Sequence, residues 1–258
     1  MPSAQQVAIV TGGSRGIGRA IVRALADRGD AVGINYVAQA EPAEALVQEL
    51  KVKGISAVAI RADVSDPAQA QSLIDEAEAT LGPPTILVNN AGVSFPATLE
   101  TYDEAALDLM RRVNVNGVIN TVRAVMAGMR ERGYGRIVNV ASNAAIGTAL
   151  PGTTFYAATK AEVLILTKRF AMELGRAGIT VNAVCPGWIV TDMTRGSMTE
   201  AEFAERVSGM QERTMVGRNG APEDIAAAIA FFTSPAAGFT TAQVLTVDGG
   251  RMDYIGHG

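Results

Sequence analysis

The sequence predicts an α/β fold in which a single domain, residues 1–258, holds a doubly wound, seven-stranded parallel sheet with helices on both faces. Short β-branched runs alternate with longer helical segments, a pattern typical of right-handed strand–helix–strand crossovers. The 258 residues are 48% hydrophobic, which is enough for one sizeable core. Glycine, asparagine or aspartate follows several strands, and in open α/β sheets such residues meet at the carboxyl edge, where ligands bind.

The elements follow one another in a regular order along the chain. Strands are predicted at residues 7–10, 31–36, 57–60, 85–88, 135–141, 180–184 and 243–247. Helical stretches of roughly ten or more residues are predicted at 18–28, 42–53, 67–81, 104–132 and 154–176. Because each helix lies between two strands, neighbouring strands should run parallel, with helices covering both faces of the sheet.

The stretch 187–220 is the one long irregular segment and is rich in Met, Thr, Ser, Gly and Arg. Loops of this length usually act as lids or binding loops, so we expect a substrate loop at about 187–220. The alternative is a surface excursion built from short helices. Five apolar side chains could line a pocket or fill the interior: Phe95, Leu150, Trp188, Met193 and Met198.

Charge and hydropathy exclude several classes of partner. The chain has 22 basic and 26 acidic residues, a net charge of −4, and these charges are dispersed, so we expect no nucleic-acid partner and no membrane surface. No segment approaches the roughly 20 apolar residues of a membrane span. The first six residues lack the basic and apolar regions of a signal peptide, and a cytoplasmic protein is therefore expected.

Cysteine and histidine are too few for several kinds of site. Cys185 is the only cysteine, so an internal disulfide and a structural zinc site are both excluded, and no metal site is predicted. The only histidine is His257, next to the C-terminal residue. A serine–histidine or cysteine–histidine hydrolase would have no plausible base.

A glycine-rich loop follows the first strand. Gly12, Gly16 and Gly18 stand where the strand ends and a helix begins, so backbone N–H groups and the helix dipole can face a pyrophosphate. The plain alternative is an ordinary strand-to-helix turn. Together with the predicted sheet, the loop indicates a Rossmann fold that binds a dinucleotide.

Tyr156 and Lys160 provide an acid beside that loop. Spaced i and i+4 on a helix, the two side chains share one face. Reduction of a carbonyl needs a proton as well as a hydride, and a neighbouring ammonium should lower the pKa of a phenol from about 10. Ser142, at the end of the fifth strand, can donate a hydrogen bond to the substrate oxygen, its alternative role being to cap the following turn.

These motifs resemble the short-chain dehydrogenase/reductase family over nearly the whole chain. The family's glycine turn is matched by Thr11, Gly12, Gly16, Ile17 and Gly18. The resemblance implies that Asn114 joins Ser142, Tyr156 and Lys160 in a water-linked proton relay. It also implies cofactor contacts from Gly12, Ser14, Arg15, Gly16, Ile17, Gly18, Asn35, Tyr36, Asp63, Val64, Asn90, Ala91, Gly92, Tyr156, Lys160, Pro186, Gly187, Ile189 and Thr191.

The end of the second strand decides between the two nicotinamide cofactors. NAD-selective folds place an acid there to bind the ribose hydroxyls, but the sequence reads Ile34-Asn35-Tyr36. Without that acid nothing repels a 2′-phosphate, and Arg15 can pair with it. NADP(H) is therefore the predicted cofactor, in preference to NAD(H). Arg15 could otherwise be an ordinary solvated arginine.

Within the family, the chain is most similar to bacterial 3-oxoacyl-acyl-carrier-protein reductases. That resemblance implies a small carbonyl substrate, most simply a 3-oxoacyl thioester. Such reductases tend to present basic residues just before the fifth and sixth strands, whereas Arg132 and Arg176 are displaced here by about one position, which weakens the case for docking of an acyl carrier protein. Ser142 and Tyr156 are 14 residues apart, one more than expected, so the pocket should differ in shape.

Other functions and assembly states stay open. A sugar or polyol dehydrogenase and a broad-specificity ketone reductase share the same chemistry, and a nucleotide-sensing protein without turnover is an alternative from another class. The helix 154–176 is apolar on more than one face, which favours burial against another subunit, and the family is typically a homotetramer. The tail 252–258 could cross to a neighbour or fray.

Overall fold

The computed structural model describes residues 5–255, and one seven-stranded parallel sheet runs through them in the order β3-β2-β1-β4-β5-β6-β7. The strands are β1 Val7–Val10, β2 Ala31–Tyr36, β3 Ala57–Arg61, β4 Ile86–Asn89, β5 Gly135–Val140, β6 Ile179–Pro186 and β7 Val244–Val247. The predicted fold class is confirmed. His257 and the end of the tail 252–258 lie outside the described residues.

Helices cover both faces of this sheet. They are α1 Gly16–Asp27, α2 Ala40–Val52, α3 Pro67–Leu81, α4 Glu104–Arg111, α5 Gly117–Arg132, α6 Thr154–Leu174, α7 Asp192–Arg195, α8 Glu200–Gln211 and α9 Pro222–Phe232. Buried side chains of α1, α2 and α9 pack on one face, and those of α3, α5 and α6 on the other. Along β1, Ala8 and Val10 enter the first layer and Ile9 the second, as the alternation of a strand requires.

The helix predicted at 104–132 is interrupted. A π-helical turn at Arg112–Asn116 separates α4 from α5. Asn114 lies within this turn and exchanges two hydrogen bonds with the backbone of Val93, so a long-range contact accompanies the wider turn. Such contacts leave no periodic signal, and the sequence therefore predicted one continuous helix.

The stretch 187–220 is more ordered than a bare loop, because it contains α7 and α8. Each of these helices begins with a threonine that caps it, Thr191 and Thr199 respectively, in a reciprocal capping box. No helix within residues 5–255 is both long enough and apolar enough to cross a membrane.

A buried polar chain fixes two helices to the sheet. The Thr121 hydroxyl on α5 donates to Asn89 Oδ1 on β4 at 2.7 Å, and the Asn89 amide donates to Asn139 Oδ1 on β5 at 2.9 Å. The Asn139 amide in turn donates to the Thr167 hydroxyl on α6 at 2.9 Å. All four side chains are at most 4% exposed, so each of these hydrogen bonds takes the place of one that the same group makes to water in the unfolded chain. We call this set the polar ladder.

The polar ladder predicts a contrast between two isosteric substitutions. Thr167→Val should lower the free energy of unfolding by about 1–3 kcal/mol, because it leaves the buried Asn139 amide without its acceptor. The Thr180 hydroxyl is also buried but has no hydrogen-bond partner among the described residues, so Thr180→Val should be neutral or slightly stabilising. Urea unfolding of both variants measures the difference, and equal losses would contradict the proposed importance of the ladder.

Candidate active site

The crevice lies at the carboxyl edge of the sheet, where the strand order reverses between β1 and β4. The loops after these two strands are joined there. The Asn90 amide donates to the carbonyls of Thr11 and Gly12 at 2.9 and 3.0 Å. The Thr11 hydroxyl accepts the N–H groups of Asn90 and Ala91 at 2.9 and 3.0 Å. The predicted glycine loop and the segment 90–92 therefore form one wall.

Steric constraints require glycine at three positions of this loop. Gly12 and Gly16 have φ values of 60° and 52°, in the left-handed region. A Cβ on Gly18 would lie 2.1 Å from the Gly12 carbonyl oxygen. Any side chain at Gly18 would therefore force the start of α1 away from the loop, and the close approach of backbone to backbone would be lost.

The start of α1 suits an anionic group. Its N-cap residue, Arg15, makes no side-chain capping bond within the described chain, so the first N–H groups of the helix keep their capacity to bind an anion. Arg15 itself is exposed, whereas Ser14 is buried and its carbonyl accepts a bond from Arg19 at 3.0 Å. Ile17 packs against the apolar layer beneath. Glycine, free N–H groups and an exposed guanidinium fit a dinucleotide phosphate.

Asn35 was predicted to contact the cofactor, but the structure places its side chain beneath the glycine loop. It is 1% exposed, its Oδ1 accepts the Gly12 N–H at 3.2 Å, and its amide donates to the Ala62 carbonyl at 2.9 Å. The side chain is thus bonded to backbone on both sides and supports the glycine loop from beneath. A side chain buried in this way cannot contact a cofactor directly. Tyr36, the last residue of β2, is half-buried and is the predicted contact that remains at this strand end.

The segment after β3 closes the far end of the crevice. Asp63 accepts the Ser65 N–H at 2.9 Å, which holds the turn. Val64 is 3% exposed, and its side chain packs so tightly that a Cβ on Gly117 would lie 2.8 Å from it. The Asn120 amide donates to the Val64 carbonyl at 2.9 Å. Asn120 is a supporting residue that the sequence pattern did not reveal.

Asn114 and Lys160 converge on Gly92. A Cβ placed on Gly92 would lie 3.2 Å from Asn114 Oδ1 and 3.4 Å from Lys160 Nζ. The Asn114 amide also donates to the Thr159 hydroxyl on α6 at 3.1 Å. The π-helical turn, the loop after β4 and α6 are therefore held together at this point, and Thr159 is a further contact that the sequence analysis missed.

Lys160 is buried on the sheet side of α6. It is 4% exposed, and its Nζ donates to the Val140 carbonyl at 2.8 Å. Burial lowers the pKa of this lysine to about 8, because the charged form loses its hydration. The ammonium also lies 5.9 Å from the centroid of the Tyr156 ring.

Tyr156 on α6 lies beside Ser142, the N-cap residue of the 3₁₀ turn after β5. The nearby Ser142 hydroxyl lowers the pKa of the phenol, but burial is the larger effect and raises the pKa of Tyr156 to about 12. The expectation that Lys160 lowers this pKa is wrong for the structure as it stands. The reason is that the phenol is desolvated, while the ammonium is bonded to the Val140 carbonyl rather than to the phenol oxygen.

The alternative role weighed for Ser142, capping the following turn, is confirmed. Its hydroxyl oxygen accepts the Ala144 N–H at 3.1 Å and so caps the short 3₁₀ turn Asn143–Ile146. The same hydroxyl group lies beside the Tyr156 phenol. The cap fixes the rotamer of the serine and leaves its proton available to a second acceptor.

The segment after β6 forms the opposite wall. Thr191 faces the glycine loop, since a Cβ on Gly16 would lie 3.5 Å from its Cγ2. Gly187 follows Pro186, the last residue of β6, and a Cβ there would lie 2.6 Å from Asp248. Ile189 is 3% exposed and packs in the apolar layer. Its side chain therefore lies away from the crevice, in contrast to that of Thr191.

The predicted pocket residues have unequal exposure. Phe95 and Met193 are 38% and 57% exposed, so neither is interior filler. The Trp188 ring lies 6.1 Å from that of Phe203 on α8, which links the wall of the crevice to the loop helices. Leu150 and Met198 are half-buried.

The C-terminal segment closes the loop that follows Ser142. The Ala149 N–H donates to the Asp253 carbonyl at 2.7 Å, and the Tyr254 hydroxyl donates to Asp248. Asn143, next to Ser142, also donates to Asp248 at 3.5 Å. The described part of the tail therefore packs against its own chain beside the predicted catalytic serine.

Comparisons with known proteins agree with this geometry. A family model described as enoyl-(acyl carrier protein) reductase matches residues 12–251. The chain is 41% identical over 244 residues to 3-oxoacyl-[acyl-carrier-protein] reductase FabG of Staphylococcus aureus, covering 94% of this chain and 96% of that protein. It is also 41% identical over 247 residues to acetoacetyl-CoA reductase of Rhizobium meliloti, covering 95% and 98%.

Solved structures show the same likeness. A short-chain dehydrogenase/reductase from Serratia marcescens has a TM-score of 0.88 at 38% identity, covering 97% of this chain and 99% of that one. A blue fluorescent protein from a metagenomic library, in complex with NADPH, has a TM-score of 0.87 at 39% identity, covering 95% and 97%. From the family match, these identities and the shared architecture, the chain belongs to the short-chain dehydrogenase/reductase family of oxidoreductases.

Proposed function

We propose that this protein is an NADP(H)-dependent reductase that transfers a hydride between the nicotinamide and the carbonyl of a 3-oxoacyl thioester. The observation that carries the proposal is the placement of the Tyr156 phenol beside Ser142, with the buried Lys160 Nζ 5.9 Å from the Tyr156 ring centroid and close to Gly92 after β4. The thioester is supported by relatives named as 3-oxoacyl and acetoacetyl-CoA reductases. The cofactor is supported by neighbouring structures that hold NADPH or NADP.

Catalysis by this chain is mainly proton donation and charge stabilisation. The bound nicotinamide supplies the hydride. Ser142 and Tyr156 hold the carbonyl oxygen between their hydroxyls, where negative charge develops during reduction. Because the pKa of Tyr156 is raised to about 12, the phenol carries its proton at neutral pH and can donate it to that oxygen.

Lys160 stabilises the state that follows proton donation. Its ammonium lies 5.9 Å from the phenol ring, so a phenolate would gain a nearby positive charge. Asn114 lies close to Lys160 across Gly92 and would complete a relay that returns the proton to Tyr156. Both side chains are held in place by backbone carbonyls, those of Val140 and Val93.

The cofactor site follows from the crevice walls. The start of α1 and the segment 90–92 would hold the pyrophosphate, and Arg15 a 2′-phosphate. Pro186, Gly187 and Thr191 would orient the nicotinamide from the opposite wall. The segment 187–220, with α7 and α8, would act as the substrate loop of a single domain spanning 1–258.

The assembly state, the protein partner and the cellular location are part of the same proposal. A homotetramer is supported by Ile165 and Met172, which are 60% and 62% exposed on α6. Docking of an acyl carrier protein is less well supported, because Arg132 is engaged by the Pro84 carbonyl at 2.9 Å. A cytoplasmic location fits a chain whose only cysteine, Cys185, is buried and unpaired.

A substrate panel tests the proposal. NADPH oxidation should have its highest kcat/KM with acetoacetyl-CoA, a lower value with ethyl acetoacetate, and little with 5-ketogluconate; NADH should serve poorly throughout. Preference for 5-ketogluconate would instead identify a sugar dehydrogenase. Tight NADPH binding without turnover of any carbonyl compound would indicate a nucleotide sensor.

Substitution of the phenol separates chemistry from binding. Tyr156→Phe should lower kcat by about 10²–10⁴-fold, because the proton donor is lost, while the dissociation constant of NADPH changes little. Tyr102→Phe is the matched control, since Tyr102 packs on Phe155 with ring centroids 5.0 Å apart and should leave kcat unchanged. Stopped-flow kinetics and fluorescence titration measure the two quantities. A Tyr156→Phe variant with near-normal kcat would refute the role of the phenol.

The pKa of Lys160 predicts a pH dependence. Since burial lowers this pKa to about 8, the ammonium should be lost in the free enzyme as the pH rises through about 8, and kcat/KM for NADPH should fall there. The phenol should stay protonated over the same range, because its pKa is raised to about 12. Lys160→Arg should abolish that falling limb. A flat wild-type profile between pH 7 and 10 would contradict the assignment.

A further inference from the structure

Arg61 is an exposed arginine at the adenosine end of the crevice. It is the last residue of β3, and in the parallel pairing its register partner is Tyr36, the last residue of β2. Its Nε donates to the Val37 carbonyl at 3.1 Å, and the side chain takes part in no ion pair within residues 5–255. The guanidinium is therefore anchored but keeps its other donors.

The residues at the end of β2, beside Arg61, include no acid. Residues 34–39, which end β2 and begin the following turn, contain no aspartate or glutamate. The first carboxylates beyond the two strand ends are those of Glu41 on α2 and of Asp63, and Asp63 accepts the Ser65 N–H. An anion bound at the end of β2 would therefore meet the Arg61 guanidinium with no carboxylate on the strand end itself.

Arg15 and Arg61 flank the end of β2 from its two sides. The glycine loop is held beside β2 by the bond from the Gly13 N–H to the Asn35 carbonyl at 2.9 Å, and β3 pairs along the other edge. Neighbouring strands are about 4.8 Å apart, so both arginines stand within roughly two strand spacings of Tyr36. An extended arginine side chain can cover such a distance.

We propose that Arg61 is a specificity-determining residue that binds the 2′-phosphate distinguishing NADPH from NADH, opposite Arg15. This rests on the proposed cofactor. With Nε held by the Val37 carbonyl, the two terminal nitrogens of Arg61 remain as a planar pair of donors, which matches two phosphate oxygens. The glycine-loop motif points to Arg15 alone for the 2′-phosphate, and Arg61 belongs to none of the motifs of the sequence.

Equilibrium binding to the full-length protein tests this role. Arg61→Gln should raise the dissociation constant of NADPH about tenfold and leave that of NADH within about twofold, since only the contact to the 2′-phosphate is lost. The same contrast should hold for the probes adenosine 2′,5′-bisphosphate and 5′-AMP. Arg61→Lys should weaken NADPH binding by an intermediate amount, because lysine keeps the positive charge but lacks the planar pair of N–H donors. Arg130→Gln, an exposed change on α5, is the matched control.

The outcomes separate this inference from the proposed function. Wild-type protein that binds NADPH no more tightly than NADH would overturn both the proposed cofactor and the role of Arg61. A wild-type preference for NADPH that survives in Arg61→Gln would leave the proposed cofactor intact and overturn the role of Arg61. Equal weakening of NADPH and NADH would also overturn it, because Arg61 would then support the strand end and not the phosphate.

Discussion

The arrangement of the site depends on the polar ladder that joins α5 and α6 to the centre of the sheet. Buried amides and hydroxyls are costly unless they are paired, and here Asn89 and Asn139 are bonded in series between Thr121 and Thr167. Apolar packing alone would allow either helix to slide by a fraction of a turn. Directional bonds fix the height of α6 on β5, and with it the distance of Tyr156 from Ser142 at the strand's end.

Burial then sets the chemistry of the two groups that α6 supplies. Desolvation keeps the proton on Tyr156 and brings the pKa of Lys160 close to neutrality, so both shifts disfavour charge. For a reductase this is useful, because the acid must be protonated before the hydride arrives. The attraction between phenolate and ammonium acts only afterwards, when charge forms in a site of low dielectric.

The sequence predicted most of the local structure and few of the long-range contacts. The strands are apolar runs, and Tyr156 and Lys160 are one helical turn apart, so spacing alone placed both on one face. By contrast, Asn35 is buried because its amide reaches Ala62, 27 residues away, and the turn at Asn114 accompanies bonds to Val93. Such pairings depend on which strands become neighbours, and no periodicity in a single segment carries that information.

A long-range contact of this kind also explains why the residue before the end of β2 is uncharged. Asn35 satisfies backbone groups of both flanking loops, which an aspartate could not do, since a carboxylate has no N–H to offer the Ala62 carbonyl. An aspartate buried there would lose hydration without gaining a cation. The support of the glycine loop therefore favours an uncharged side chain at Asn35, whose two backbone bonds hold the loop at its observed height beside β2.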